Sequence, residues 1–415
     1  MRTAYRRVAA TSALLLVLAG CTPPPPASVP RLTPGGPLEA RVGTTVHFQA
    51  ENLDGAVVWG VDRLIGGSSY SGTVAGGDYH APDRVPAEPT VTVTAFQTSD
   101  PSKSASAKVT VTAPGTMYVL GLSVYVYGDM DTVNGDAGPD RAFKIDGVGA
   151  GKAYSDLVVA PSLDAAFVLA DTAPTNVFMI HDVSTASGTV SATGLSSLGR
   201  ENPAAVAYDE VRGILYVAFA DALLAYDDAS VASDGKEPDR VLEGSFVSAM
   251  LLGSPAGIYL DPATDRLFVA NSLGEIGTYT NASSVVGNVA PSRLTKLDVP
   301  AGFVDDLAYD AVRDELYLSD WTNAAVYVVA DASSATGTVA PSRVIGGAQT
   351  GFVHPLRAGY DAANDRLVVV DDTANDAKVF DGASLLNGDV APSRTLGGVL
   401  WPVNPPYGLY LDPSR

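Results

Sequence analysis

The sequence predicts an all-β protein: a small β-sandwich followed by a six-bladed β-propeller, closed by strands from both ends of the propeller domain. Three observations carry this. A unit of about fifty residues repeats through residues 114–415, with several short strand-like runs in each copy. Residues 38–113 carry a different pattern, β-branched runs separated by Gly and Pro turns. No stretch of the chain requires a helix.

The repeat is fixed by its aspartates. Asp209, Asp261, Asp310, Asp361 and Asp412 each end the first hydrophobic run of a unit, at spacings of 52, 49, 51 and 51 residues. A turn rich in Asp, Asn, Arg and Gly follows, residue types that bond their own backbone. The second run is aromatic and β-branched (Ile214 to Val217, Leu316 to Leu318, Leu367 to Val370), as expected of a strand buried on both faces. A third run, such as Ala325 to Val328, leads through a polar loop to Pro-x-Arg. That motif occurs at Pro139 to Arg141, Pro238 to Arg240, Pro291 to Arg293, Pro341 to Arg343 and Pro392 to Arg394. Proline cannot donate to a β-ladder, so the motif belongs at the outermost strand, where its arginine is expected to tie that strand to its neighbour.

Innermost strands are expected near Val159, Ala207, Tyr259, Ala308, Gly359 and Tyr410. Residues 116–147 hold later strands without a first one, and Tyr407 to Asp412 is a first strand with nothing after it. The two fragments complete one blade and leave no open sheet edge.

The front of the chain reads as a targeting segment. Arg2, Arg6 and Arg7 precede an apolar core, Ala13 to Ala19, too short to span a membrane. It ends in Leu18-Ala19-Gly20-Cys21, which resembles the lipobox of bacterial lipoproteins. The resemblance implies cleavage after residue 20 and lipidation of Cys21, the only cysteine of 415 residues. Acyl chains there would anchor the protein without a transmembrane helix. Thr22 at the next position resembles lipoproteins released to an outer membrane. Residues 21–37 hold seven prolines and read as a semi-rigid tether. Residues 38–113, with Trp59-Gly60-Val61, Gly76 to Pro82 and Val91 to Ala95, resemble a bacterial immunoglobulin-like domain. That resemblance implies a core around Trp59 and a spacer role. His47 and His80 are read as ordinary strand and turn residues.

Composition bounds the partners. A net charge of −20 repels nucleic acid and anionic lipid. Asp129 to Asp136 looks like a calcium loop but lacks the EF-hand oxygen pattern, and its Asn134-Gly135 aligns with Asn387-Gly388 before another Pro-x-Arg. It therefore reads as the standard loop before an outer strand. Ligand-binding residues are expected at the channel mouth, where loops meet on a rigid ring. Asn202, Ser254, His354 and Asn404 precede first strands, and Asp305, Asp306 and Arg357 lie just inside them. Asp171, Asn271, Asp320, Trp321, Asn323, Asp371 and Asp372 come from the loops between second and third strands.

The Tyr-Asp strings, Leu316 to Asp320 and Gly337 to Arg343 resemble NHL-like and gluconolactonase-like six-bladed propellers of bacterial envelope proteins. In enzymes of that class a metal sits over the channel on Glu, Asn and Asp. The resemblance would make calcium the cofactor here, with Glu201 and Asp306 as metal candidates and His354, Glu201 and Asp306 as catalytic ones. No Ser-His-Asp order, metal-spaced histidine pair or phosphate loop occurs elsewhere. With three tryptophans, the chain lacks the tryptophan-rich blades of a quinone-dependent dehydrogenase. The reading favoured by the sequence is a monomeric, lipid-anchored cell-envelope protein. Its propeller is a non-catalytic scaffold for a protein, glycan or small ligand. The rival is a metal-dependent hydrolase or lactonase using Glu201, Asn202, Asp306 and His354.

Overall fold

Each unit of the repeat folds as one antiparallel sheet in a computed structural model, which describes residues 29–148, 154–172, 175–250, 255–403 and 405–415. The lipobox, Cys21, Ser254 and Asn404 lie outside the described residues. Six such sheets form the ring. Their innermost strands are Gly408–Asp412, Tyr154–Ala160, Ala205–Asp209, Pro255–Asp261, Val304–Asp310 and Pro355–Asp361, in blades one to six. The ring closes as the sequence implies. Gly408–Asp412 pairs with Thr116–Leu120, in register from Thr116 opposite Asp412 to Leu120 opposite Gly408.

The marker aspartates recur because they build the turn after each innermost strand. Asp209 Oδ1 accepts from the Val211 and Arg212 amides at 2.9 Å each, and Asp310 and Asp361 do the same in their blades. All five are buried, so an uncapped version would leave a desolvated carboxylate. Four of the five Pro-x-Arg arginines tie their strand to the next blade as expected, and Arg293 makes no such bond among the described residues. Arg141 donates to Val183 O and Ala186 O, Arg240 to Ala282 O and Val285 O, and Arg343 to Ala383 O and Leu386 O, each pair on the following blade. Arg394 donates to Met130 O across the seam of the ring. The Asn-Gly loops pair with the preceding outer strand: Gly135 donates to Thr395 O and Gly388 to Val344 O. Residues 129–136 are thus part of the repeat, and Asp131 is held by Arg366 at 2.7 Å.

Between the blades lie apolar layers such as Phe167, Leu215, Val217 and Tyr226. The sandwich has its own core, and this differs from the sequence reading. Trp59 is only partly buried, whereas Tyr79 and Phe48 are fully enclosed. Tyr79 can sit there because its hydroxyl donates to Ser71 O at 2.9 Å. The sandwich also starts earlier than residue 38. Arg31–Thr33, inside the stretch read as tether, pairs with Gln49–Glu51 and buries Leu32. One short helix, Ser245–Met250, precedes blade four and buries Val247, an element the sequence pattern did not call for. Among the described residues no helix is long and apolar enough to cross a membrane.

The sandwich contacts the propeller face that carries the turns after the innermost strands, termed the lower face. Val85 N donates to Ser414 O at 2.9 Å, Arg84 contacts Pro161 O and Asp164, and Asn364 donates to Ala113 O at 3.3 Å. The innermost strands start at the opposite, upper face.

Replacing Arg343 by Met removes two inter-blade hydrogen bonds and the ion pair to Glu315. The expected loss is about 2–4 kcal/mol in urea unfolding, since charged hydrogen bonds contribute about 1.5–3 kcal/mol and a partner is left unpaired. Arg63→Ala, at an exposed turn of the sandwich, is expected to change stability by less than about 0.5 kcal/mol.

Candidate functional site

The mouth of the ring is built by bulges. In blades two, four, five and six the innermost strand slips register near its start, between Tyr154 and Asp156, Pro255 and Gly257, Val304 and Asp306, and Pro355 and Arg357. A bulge leaves one residue outside the ladder and re-aims its backbone. The carbonyls of the bulged residues Ser155, Ala256 and Asp305, together with Tyr407 O of blade one, all accept from one side chain, Arg357. Its Nε donates to Tyr407 O at 2.6 Å and its Nη2 to Ser155 O at 3.0 Å. Its Nη1 donates to Asp305 O at 2.8 Å and Ala256 O at 3.5 Å. One guanidinium therefore reaches four blades and spans the channel.

Four residues before the end of each innermost strand, the six blades carry Asp156, Ala205, Gly257, Asp306, Arg357 and Gly408 at one equivalent register, and Asp156 and Asp306 line the channel. Asp156 and Asp306 stand on opposite blades. Each carboxylate accepts its neighbouring amide at 2.8 Å (Leu157 and Leu307). Each also accepts an amide of the following blade, Val206 at 2.9 Å and Ala358 at 3.1 Å. The glycines make room for them. A Cβ at Gly257 would lie 2.6 Å from Asp306 Oδ1, and one at Gly408 would lie 3.1 Å from the Asp156 Cα. Desolvation raises both carboxyls well above the usual Asp range; Arg357 opposes the shift and their mutual repulsion adds to it for Asp156. Asp305 sits above them. Burial, with help from Asp306, Asp372 and Asp320, pushes its carboxyl up to about 7 against the pull of Arg357, and its Oδ2 is enclosed with no hydrogen-bond partner.

The other expected site residues divide in two. Asn271, Asp320 and Asp371 are buried turn caps. Asn271 Oδ1 accepts the Leu273 and Glu275 amides, Asp320 holds the Asn323 amide at 2.8 Å, and Asp371 accepts from Val353, His354, Thr373 and Ala374. They shape the mouth from beneath and present little to a ligand. Asn323 turns its amide back to Asp320 and Pro300 O. Asn202 is exposed on blade three, and blades five and six carry exposed Trp321 and half-buried His354. The Trp321 ring lies 4.3 Å from that of His354 and 6.3 Å from that of Phe303, with Val353 beside them. Phe303, Trp321 and Val353 keep 40%, 36% and 46% of their surface exposed. His354 Nδ1 meets the Thr373 hydroxyl at 2.7 Å and Asp372 at 3.6 Å.

The residues of a metal site do not come together. Glu201 and Asn202 are exposed at blade three, where Asn202 N approaches Asp171 at 3.5 Å. His354 lies across the ring on blade six, and Asp306 is inside the channel between inter-blade amides. Among the described residues no three His, Cys, Asp or Glu side chains converge as a metal-holding group. Sequence reasoning missed Asp156, Tyr259 and Tyr410, which line the channel with Asp306. The signal available was their offset from the strand end: Asp156 occupies the register of Asp306.

No family model matches the chain, and neither does any curated protein. In structure it matches 983 solved chains. One, from the crystal structure of a nidogen/laminin complex, has a TM-score of 0.51 and 14% sequence identity, and covers 72% of this chain and 97% of its own. At that identity the likeness is one of fold. The chain contains a β-propeller, an architecture that serves many functions.

Asp305→Asn tests the electrostatics of the mouth. The folded carboxyl titrates near 7 and the unfolded one near 3.9. The folded state therefore binds the extra proton between these values, and stability falls as pH rises through that window. The neutral variant should match the wild type at pH 4 and exceed it by about 1–3 kcal/mol at pH 8. Melting curves across that range check this.

Proposed function

We propose that the protein is a cell-envelope lipoprotein whose propeller is a non-catalytic binding scaffold, with the upper face of blades five and six as its contact surface. The observation that carries this is the cluster of exposed Phe303 and Trp321 with half-buried His354, set on a mouth that Arg357 spans. A spanned mouth offers a surface. Exposed aromatic groups on a rigid surface are the usual energetic centre of an interface, because they bury large area at low entropic cost. The same cluster has a polar rim, Asp372 and Thr373, suited to a protein or glycan.

Anchorage at the envelope rests on the sequence Leu18 to Cys21 and on Cys21 being the only thiol. The proline-rich segment after it supports a tether, and the sandwich, read as immunoglobulin-like, supports a spacer between membrane and propeller. The hydrolase alternative has no converged ligand set among the described residues to rest on.

Metabolic labelling with an alkynyl fatty acid should label the full-length protein and leave Cys21→Ala unlabelled and in the soluble fraction. That soluble protein should bind isolated envelope fractions saturably. Trp321→Ala should weaken this binding at least tenfold without lowering the melting temperature, as loss of a central aromatic contact costs about 2 kcal/mol or more. Equal binding by Trp321→Ala would remove the assignment of the contact surface.

A further inference from the structure

Beneath Arg357 the central channel opens into a cavity of about 320 Å³. Asp156 and Asp306 stand at its upper end, Tyr259 and Tyr410 line its middle from opposite blades, and Glu210 lies at its lower rim. The wall between them is apolar, including Val158, Ala207, Leu307 and Leu409. This is the composition of a small-molecule site, apolar walls with a few convergent polar groups, and its volume falls at the lower end of the usual range of about 300–1,000 Å³.

Several of those polar groups have unused capacity. Glu210 Oε2 accepts from the Ser162 hydroxyl, while Glu210 Oε1 is enclosed without a partner. Neither the Tyr259 nor the Tyr410 hydroxyl has a hydrogen-bond partner among the described residues. Asp156 and Asp306 each accept two amides and retain further lone pairs facing the cavity. No described cation forms a direct ion pair with any of the three carboxylates, although Arg357 and Arg84 lie near enough to favour their charged forms. Arg357 spends its guanidinium on four carbonyls, and Arg84, on the sandwich side of the lower rim, spends its own on Pro161 O and Asp164.

We propose that this cavity binds an organic ammonium ion, a primary amine on an apolar stem, entering from the lower face with its charged end between Asp156 and Asp306. The carboxylates supply acceptors for the ammonium hydrogens, and the two tyrosine rings present faces that attract a cation. The stem takes the apolar wall. An anion of the same shape meets three carboxylates, and a neutral alcohol brings them no charge beyond the field of Arg357. This site is distinct from the upper surface and stands or falls separately from it.

Calorimetry of the full-length protein at physiological ionic strength, with n-hexylammonium, hexan-1-ol and hexanoate as probes, tests the proposal. Hexylammonium should bind saturably with one site, hexan-1-ol at least tenfold more weakly, and hexanoate not at all. Asp306→Asn should weaken hexylammonium at least tenfold. Because Asp306 also joins two blades, Glu210→Gln and Tyr259→Phe carry the test independently, each expected to weaken binding severalfold with the melting temperature retained. Trp321→Ala, on the upper face, should leave it unchanged. Equal affinity for the alcohol would reduce the cavity to an apolar hole. Absence of saturable hexylammonium binding would overturn the proposal, as would binding indifferent to both Glu210→Gln and Tyr259→Phe.

Discussion

The ring depends on one guanidinium. Six innermost strands converge on the axis, and four of them carry bulges there, which free backbone carbonyls that no ladder satisfies. Arg357 collects three of these carbonyls and a fourth from the closing strand. A planar group with five donors suits a ring of acceptors in a way that a lysine, a point charge with three, does not. The positive charge must itself be balanced in a poorly solvated place, and Asp156, Asp306 and Asp305 supply the field that does so. Each of the three titrates high because of desolvation, with Arg357 holding it down. Arg357 is thus what makes three poorly solvated carboxylates tolerable, and removing it leaves them stranded.

Around that unit the fold's regularity is broken in an ordered way. Blades two and five carry the carboxylates, and the blades before them, one and four, carry Gly408 and Gly257, whose missing Cβ atoms leave space for those carboxylates. The departure from six-fold repetition separates an upper surface from a lower cavity. The lower cavity keeps its volume because the residues facing it on blades three, five and six are small: Ala207, Ala308 and Gly359.

What was legible in the sequence was whatever every blade needs. The five marker aspartates each cap a turn, four of the five Pro-x-Arg arginines reach the next blade, and the two ends of the propeller domain share a sheet. Each repeats because the same backbone problem repeats. The site was legible only in outline. Asn271, Asp320 and Asp371 look like site residues because they are polar and sit in mouth loops, yet amide donors of their own turns consume them. Asp156, Tyr259 and Tyr410 look like ordinary strand residues, and only ring closure brings them to face Asp306. In the sandwich, Trp59 is the larger side chain, but Tyr79 has the internal hydrogen bond that permits full burial. The strand Arg31–Thr33 was hidden by the prolines around it.

The most direct measurement is the thermal unfolding of Arg357→Met, a variant close in volume and without charge. It strands four carbonyls and removes the cation nearest three half-buried carboxylates. The account expects a fall in melting temperature of at least about 5 °C at pH 7. It also expects part of that loss to be recovered at pH 5, where protonation of Asp156, Asp305 and Asp306 relieves the unbalanced charge. A melting temperature within a degree or so of the wild type at both pH values would contradict the account.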